Sequence, residues 1–459
     1  MSAEILPRKK FFFMACTIAI PIMVQNLINT LVNVADTLML GFVGQGAMAA
    51  SSLANNLTSI LWMALNGFAT AATILGSQYW GKNDTDTIER VLGIGVRICM
   101  IIGLVAFCIS FFFPKTFMTV FTTDAQIIDE GARYLKVLAF SYLFQSFSMA
   151  YFAVLRSIEQ VWIPSMAFVA SLVINVVCNS IFIFGLFGLP AMGVVGAAIG
   201  TVIARFSEFF VCVMHSLTSK NVRLRFKNLF AKAHLLHIDF LKLGFPSAIN
   251  DVAWSLAAAM FSVILGHMGS DVVAANAVAA MVLNIGAIVS RGFSNATTII
   301  VGKALGSGNK EMGKLYGRRM VFITFLFSCL GGLVMLLLDP ITEIIYADKL
   351  SVTAMSYLGA MLAMQAVRII GEGLNTCWIC GCFRGGGDTK FGMIVDTLCM
   401  WCIAVPGMAI AAYVLKLPVL GVYFVMCLDE FEKMPFVVHH YRKFEWLNNI
   451  TRDSAELNS

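Results

Sequence analysis

Apolar runs long enough to cross a bilayer recur from one end of this 459-residue chain to the other, and that recurrence decides the fold class. A helix needs about 20 mostly apolar residues to span the hydrocarbon core. Marking such runs against charged and Pro/Gly breaks gives twelve spans, near 14–40, 48–76, 91–113, 132–155, 162–185, 193–217, 239–266, 272–301, 316–338, 352–381, 391–414 and 419–438. The longer ones would tilt or extend past the bilayer. Charged residues are only 13% of the chain, against about 25% in a soluble domain. The expectation is an all-α polytopic membrane protein. A β-barrel is excluded, because barrel strands are short alternating segments. Nothing suggests a large soluble domain or a nucleic-acid partner.

Charge sets the orientation. Arg8, Lys9, Lys10, Lys82, Arg90, Arg156, Lys303, Lys310, Lys314, Arg318, Arg319, Arg384, Lys390, Arg442, Lys443 and Arg452 fall on one side. The basic segment 218–238, with Lys220, Arg223, Arg225, Lys227 and Lys232, joins them. The opposite loops carry only Lys115, Lys349 and Lys416, with Arg133 and Lys136 near a helix start. Cytoplasmic loops hold the basic excess, so both termini are expected in the cytoplasm. The amphipathic segment 218–238 reads as an interfacial linker in contact with membrane lipid. It separates an N-lobe at 1–217 from a C-lobe at 239–441, and 442–459 is a cytoplasmic tail. The basic start followed by an apolar run resembles a signal peptide. The run continues through Gln25 to Asp36 without a cleavage site, and reads as an uncleaved first helix.

That first span, PIMVQNLINTLVNVADTLMLG from Pro21 to Gly41, carries Gln25, Asn29, Asn33 and Asp36 at spacings of 4, 4 and 3. They share one helix face. A carboxylate in a membrane helix is costly and usually faces a bundle interior or a water-filled cavity. The alternative is a structural acid held by its asparagine neighbours, or one in the headgroup region. Pro21 removes a backbone hydrogen bond and permits a bend.

The chain repeats itself at an offset of 225: Pro21 and Pro246, Leu40-Gly41 and Leu265-Gly266, Gly44 and Gly269, Ala49-Ala50 and Ala274-Ala275, Gly67-Phe68 and Gly292-Phe293, Gly81 and Gly306. Six helices per half restore the starting side, so the repeats are parallel. Two pseudo-symmetric six-helix lobes of this kind are a transporter architecture.

The stretches VADTLMLGFVG, AASSLA, NGFATAATILGSQYWGKND, NVVCNSIFIFGLFGLPAMGVVGAAIGT and FRGGGDTKF, in this order and spacing, resemble the MATE (multidrug and toxic compound extrusion) family in its bacterial branch. The resemblance covers nearly the whole chain. It implies a functional monomer in the bacterial inner membrane that exports organic, often cationic, drugs in exchange for Na+ or H+. It places the coupling aspartate at Asp36 and its partners at Asn175, Asn179 and Thr201. With Asn179 where some relatives have a carboxylate, it leaves the ion's identity open. Independently of the family, Asn175 and Asn179 are i, i+4 on one face. One carboxylate with neutral oxygens suits Na+, and a desolvated carboxyl suits a proton equally. Hydrogen bonding between helices is the structural alternative for these asparagines.

Other intramembrane polar groups divide into two sets. Gln25, Asn29, Asn33, Asp251, Arg291 and Asp396 are candidates for a substrate cavity, with Asp251 alternatively paired to Arg291. Arg368–Glu372 and Arg205–Glu208 read as local ion pairs that cheapen insertion. Glu430–Lys433 reads as a pair at the cytoplasmic surface, and Arg384 and Asp388 as loop-shaping residues. Cys377, Cys380 and Cys382 have a metal-like spacing but no histidine nearby, and read as packing residues. No metal beyond Na+ at Asp36, and no cofactor, is expected. The chain has no HExxH, GxSxG or P-loop, so an enzyme is not expected. A flippase for lipid-linked saccharides, from the related superfamily, is the alternative of similar architecture. It would line its cavity with cations, for which Arg97, Arg205, Arg291 and Arg368 are available.

Overall fold

The computed structural model describes residues 5–219, 222–229, 233–346, 350–453 and 456. The side chain of Asn33, and Lys220, Lys232 and Lys349 of the basic pattern, lie outside the described residues. Every regular element described is helical. The main helices are α1 Arg8–Gly41, α2 Gln45–Gly81, α3 Thr85–Phe112, α4 Ala125–Ser157, α5 Trp162–Phe184 and α6 Val194–Thr218. They continue as α7 His234–Gly266, α8 Ser270–Gly306, α9 Lys310–Tyr346, α10 Val352–Thr376 and α11 Thr389–Leu398. Wider π-helical turns extend α10 through Phe383 and carry the α11 span to Val414.

Eleven described helices are long and apolar enough to cross a membrane. The twelfth expected span is broken into α12 Val419–Cys427, α13 Asp429–Glu432 and α14 Met434–Lys443. Pro435, without an N–H to donate, falls at the last break. Helix starts are set by short polar side chains: Asp84, Asp124, Ser351 and Asp388 each accept a backbone N–H of the first turn.

The 225-residue offset is structural. α1 and α7 end at Gly41 and Gly266, and α2 and α8, each 37 residues, end at Gly81 and Gly306. Gly44 and Gly269, which precede α2 and α8, take φ of +151° and +130°, a conformation open to glycine and strained for other residues.

The chain divides into two compact units. The N-unit is Val24–Ala248 with Arg452–Ser459, and the C-unit is Met1–Met23 with Ile249–Thr451. The expected lobes at 1–217 and 239–441 differ from these units, because the chain changes unit inside α1 and inside α7. Both changes fall two residues after a proline, Pro21 and Pro246. Each unit seats the helix it borrows against a glycine. A Cβ on Gly67 would come within 2.4 Å of Ala248 in the N-unit, and one on Gly292 within 2.3 Å of Met23 in the C-unit.

The tail contributes to both units in turn. Trp446 is fully buried in a C-unit cluster with Val301, Leu305, Cys382, Phe383 and Val437. A Cβ on Gly386 would strike the Trp446 carbonyl at 1.7 Å, so the glycines of the RGGGD stretch make room for the tail. In the N-unit, Arg452 forms a two-pronged bond with Asp239, and Lys82 bonds Asp453 at 2.8 Å.

Candidate functional site

The sequence's intramembrane acid sits where helices α1, α5 and α6 of the N-unit meet. Asn179 Nδ2 on α5 donates to Asp36 Oδ1 on α1 at 2.5 Å, and to Asn175 Oδ1 one turn away at 3.2 Å. Asn175 also lies beside Asp36. Both asparagines are fully buried. Two of their atoms, Asn175 Nδ2 and Asn179 Oδ1, have no partner. A buried carbonyl oxygen left unpaired costs about 1–3 kcal/mol, which marks the pair as unsatisfied in this state.

The α5–α6 hairpin aligns this set. Gly185 ends α5 at φ +71°, Met192 donates back to the Phe182 carbonyl, and Gly196 lets that carbonyl approach within 2.5 Å of where its Cβ would be. One residue of α6 then faces the asparagines. A Cβ on Gly200 would lie 2.1 Å from Asn179 Oδ1, so only glycine admits that side chain. Thr201, one residue on, donates its hydroxyl to the Ala197 carbonyl at 3.0 Å. Among the described residues no hydrogen bond joins Thr201 to Asp36.

The charges around Asp36 are few. Arg205 is within electrostatic range but is bound by Glu208 at 2.9 and 3.1 Å. Tyr134 on α4 is also within range, and its hydroxyl reaches Asn55 at 3.5 Å. Asp36 is therefore one carboxylate beside neutral amides, with Arg205 already matched by Glu208. Such a group can take up a monovalent cation or a proton.

The remaining candidates are dispersed. Gln25 is buried, accepts from Arg156 Nη1 at 3.2 Å and donates to Ser165 Oγ at 2.9 Å, so it ties helices together. Asn29 is half-buried. In the C-unit, Asp251 pairs with Arg384 at 2.9 Å, and Arg291 with Glu372 at 3.4 Å. The structure thus pairs Asp251 with Arg384 rather than with Arg291, and corrects the Asp251–Arg291 expectation.

Asp396 is paired too: Lys433 holds it at 2.8 Å, and both are buried. Glu430–Lys433 forms at 3.0 Å, but inside the unit rather than at its surface. Arg368 keeps its helical partner Glu372 at 3.3 Å, yet its closer partner is Asp429, gripped by two bonds at 2.9 and 2.7 Å. Sequence reading missed Asp429, Gly200, Tyr134 and Arg156. The first three act across 61, 21 and 98 residues, which no local spacing reveals. Cys377 and Cys382 are fully buried, and Cys377 contacts the Thr297 hydroxyl.

A family model described as MatE matches residues 21–181 and 246–410, beginning at the two repeat prolines. The chain belongs to the MATE family. Bacterial proteins named as probable multidrug resistance proteins are among its relatives. It is 24% identical over 420 residues to the probable multidrug resistance protein NorM of Thermotoga maritima, covering 90% of this chain and 88% of that one. It is 23% identical to the probable multidrug resistance protein YoeA of Bacillus subtilis, covering 94% of each. A solved MATE in the bent conformation superposes with a TM-score of 0.87 at 18% identity, over 96% of this chain and 97% of that one. A MATE in the straight conformation gives 0.85 at 19% identity, over 95% and 96%. These structures share the fold. As a MATE member the chain is a multi-pass membrane transporter of the multidrug efflux family, and not an enzyme.

Proposed function

We propose that this MATE protein exports amphiphilic organic cations in exchange for Na+ or H+ bound at Asp36. The carrying observation is the half-buried Asp36 carboxylate, which accepts a hydrogen bond from the neutral amide of Asn179 and has the amide of Asn175 beside it. Asp36 supplies the charge that an entering ion neutralises, and the two amides supply neutral donors and acceptors. Thr201 of α6 is assigned here as a further source of a hydroxyl oxygen. The names of the bacterial relatives, probable multidrug resistance proteins, support drugs as cargo. The alternation of basic loops supports both termini in the cytoplasm and a bacterial inner membrane, and the chain is taken to work as a monomer.

Lipid-linked saccharide transport is less well supported. Arg205, Arg368 and Arg291 are each matched by a carboxylate, so they are not free to hold a pyrophosphate.

The test is efflux of a fluorescent organic cation from proteoliposomes under an imposed Na+ or pH gradient. Wild-type protein should move the dye under one gradient, and Asp36→Asn should lose that gradient-driven component. Dye movement that ignores both gradients would overturn the exchange mechanism.

A further inference from the structure

Arg156 ends α4, in the last turn, where the helix dipole favours a cation. Among the described residues no carboxylate lies within ion-pair distance of it. Its hydrogen-bond acceptor is Gln25 Oε1, at 3.2 Å. The other end of that amide donates to Ser165 Oγ at 2.9 Å and to the Val161 carbonyl at 3.4 Å. Both belong to the start of α5. One buried glutamine thereby fastens α1 to the end of one helix and the beginning of the next.

The position of that fastening matters. It lies four residues after Pro21, where the α1 ladder lacks a hydrogen bond, and at the first turn of the Val24–Gly41 section that belongs to the N-unit. Gln25 and Asp36 share one helix face 11 residues apart, about 16 Å along the axis. Asp36 is tied to Asn179 on α5, the helix that also carries Ser165. The section is therefore pinned to α5 twice. The Asp36 pin contains the group that takes the ion, and the Gln25 pin contains no acid at all.

We propose that Arg156 is a positioning residue for ion coupling: through Gln25 it fixes one end of the α1 section, so that an ion at Asp36 moves only the other end. Without the fixed end, slack below Asp36 absorbs the local change, and ion binding no longer dictates where α1 lies. This inference rests on Asp36 being the ion site, as proposed above.

The test uses the full chain in proteoliposomes with a fluorescent organic cation. Three quantities are read: gradient-driven transport, downhill dye equilibration, and affinity for the coupling ion. Gln25→Leu and Arg156→Gln should each lower gradient-driven transport at least tenfold, with the other two within twofold of wild type. Gln25→Glu keeps an acceptor for Arg156 and accepts from the Ser165 hydroxyl in place of donating to it, so it should retain gradient-driven transport. It also carries the comparison with Arg156→Gln if Gln25→Leu does not fold. Gradient-driven transport within twofold of wild type in Arg156→Gln would overturn the proposal. So would a fall in ion affinity that parallels the fall in transport, or a Gln25→Glu as defective as Gln25→Leu. Failure of the Asp36 reading shows separately, as an Asp36→Asn protein that still binds the ion.

Discussion

Asp36 could be found from sequence because its surroundings announce it: a carboxylate in an apolar run, with amides one helical turn apart on the same face. Gly200 could not. A glycine in GAAIGT has an ordinary helix-packing explanation, and its reason for being there is an asparagine on another helix. The structure turns it into a prediction. Gly200→Ala places a methyl group 2.1 Å from Asn179 Oδ1 and forces that side chain aside. Overpacking of this kind costs roughly 1–3 kcal/mol. Gradient-driven efflux should fall at least tenfold while the protein still reaches the membrane, measured by transport per purified molecule. Wild-type efflux in this variant would mean that Asn179 does not depend on its present position.

At the scale of elements, helical spacing reveals the ties within a helix and hides those between helices. Arg368–Glu372 was legible as i, i+4, whereas the stronger Arg368–Asp429 grip joins α10 to α13. Removing one member of such a network leaves charge buried without compensation, at about 3–5 kcal/mol. Arg368→Ala should therefore destabilise the protein by that amount, read by thermal or denaturant unfolding in detergent. A loss below about 1 kcal/mol, the range of exposed pairs, would contradict the burial of this network.

The tail offers the opposite case. The Lys82 ammonium holds the Asp453 carboxyl below the usual carboxylate range. An acid with a lowered folded pKa stabilises above its unfolded value, and the contribution disappears as pH falls through the folded one. The Lys82–Asp453 contact is thus present at neutral pH and lost as pH falls through that lowered value. Asp453→Asn should mimic acid at pH 8 and speed trypsin cleavage after Arg452, and Asp239→Ala should speed it more by freeing both prongs of the Arg452 bond. An unchanged rate in both would show the tail held by other contacts.

For the whole molecule, the repeat was readable because glycines and prolines recur at one offset, and these residues are fixed by backbone geometry rather than by a tolerant apolar core. The crossing of α1 and α7 between units was not readable, since an apolar helix has the same sequence whichever unit covers it. Gly67 and Gly292, which looked like repeat markers only, are the seats of the crossing helices. Their substitution should differ in cost. At Gly67→Ala the new methyl meets the Ala248 backbone, which cannot yield without moving α7. At Gly292→Ala it meets mainly the Met23 side chain, which can turn away. Gly67→Ala should therefore lower thermal stability more than Gly292→Ala, and the reverse order would contradict these seatings.

The central claim is that Asp36 is where the coupling ion binds. Its most direct test is equilibrium ion binding to the purified protein, by Na+ titration at fixed pH and proton release at fixed Na+, in wild type and Asp36→Asn. The account predicts one saturable ion per wild-type chain and none in Asp36→Asn. An Asp36→Asn protein that binds the ion as wild type does would contradict it.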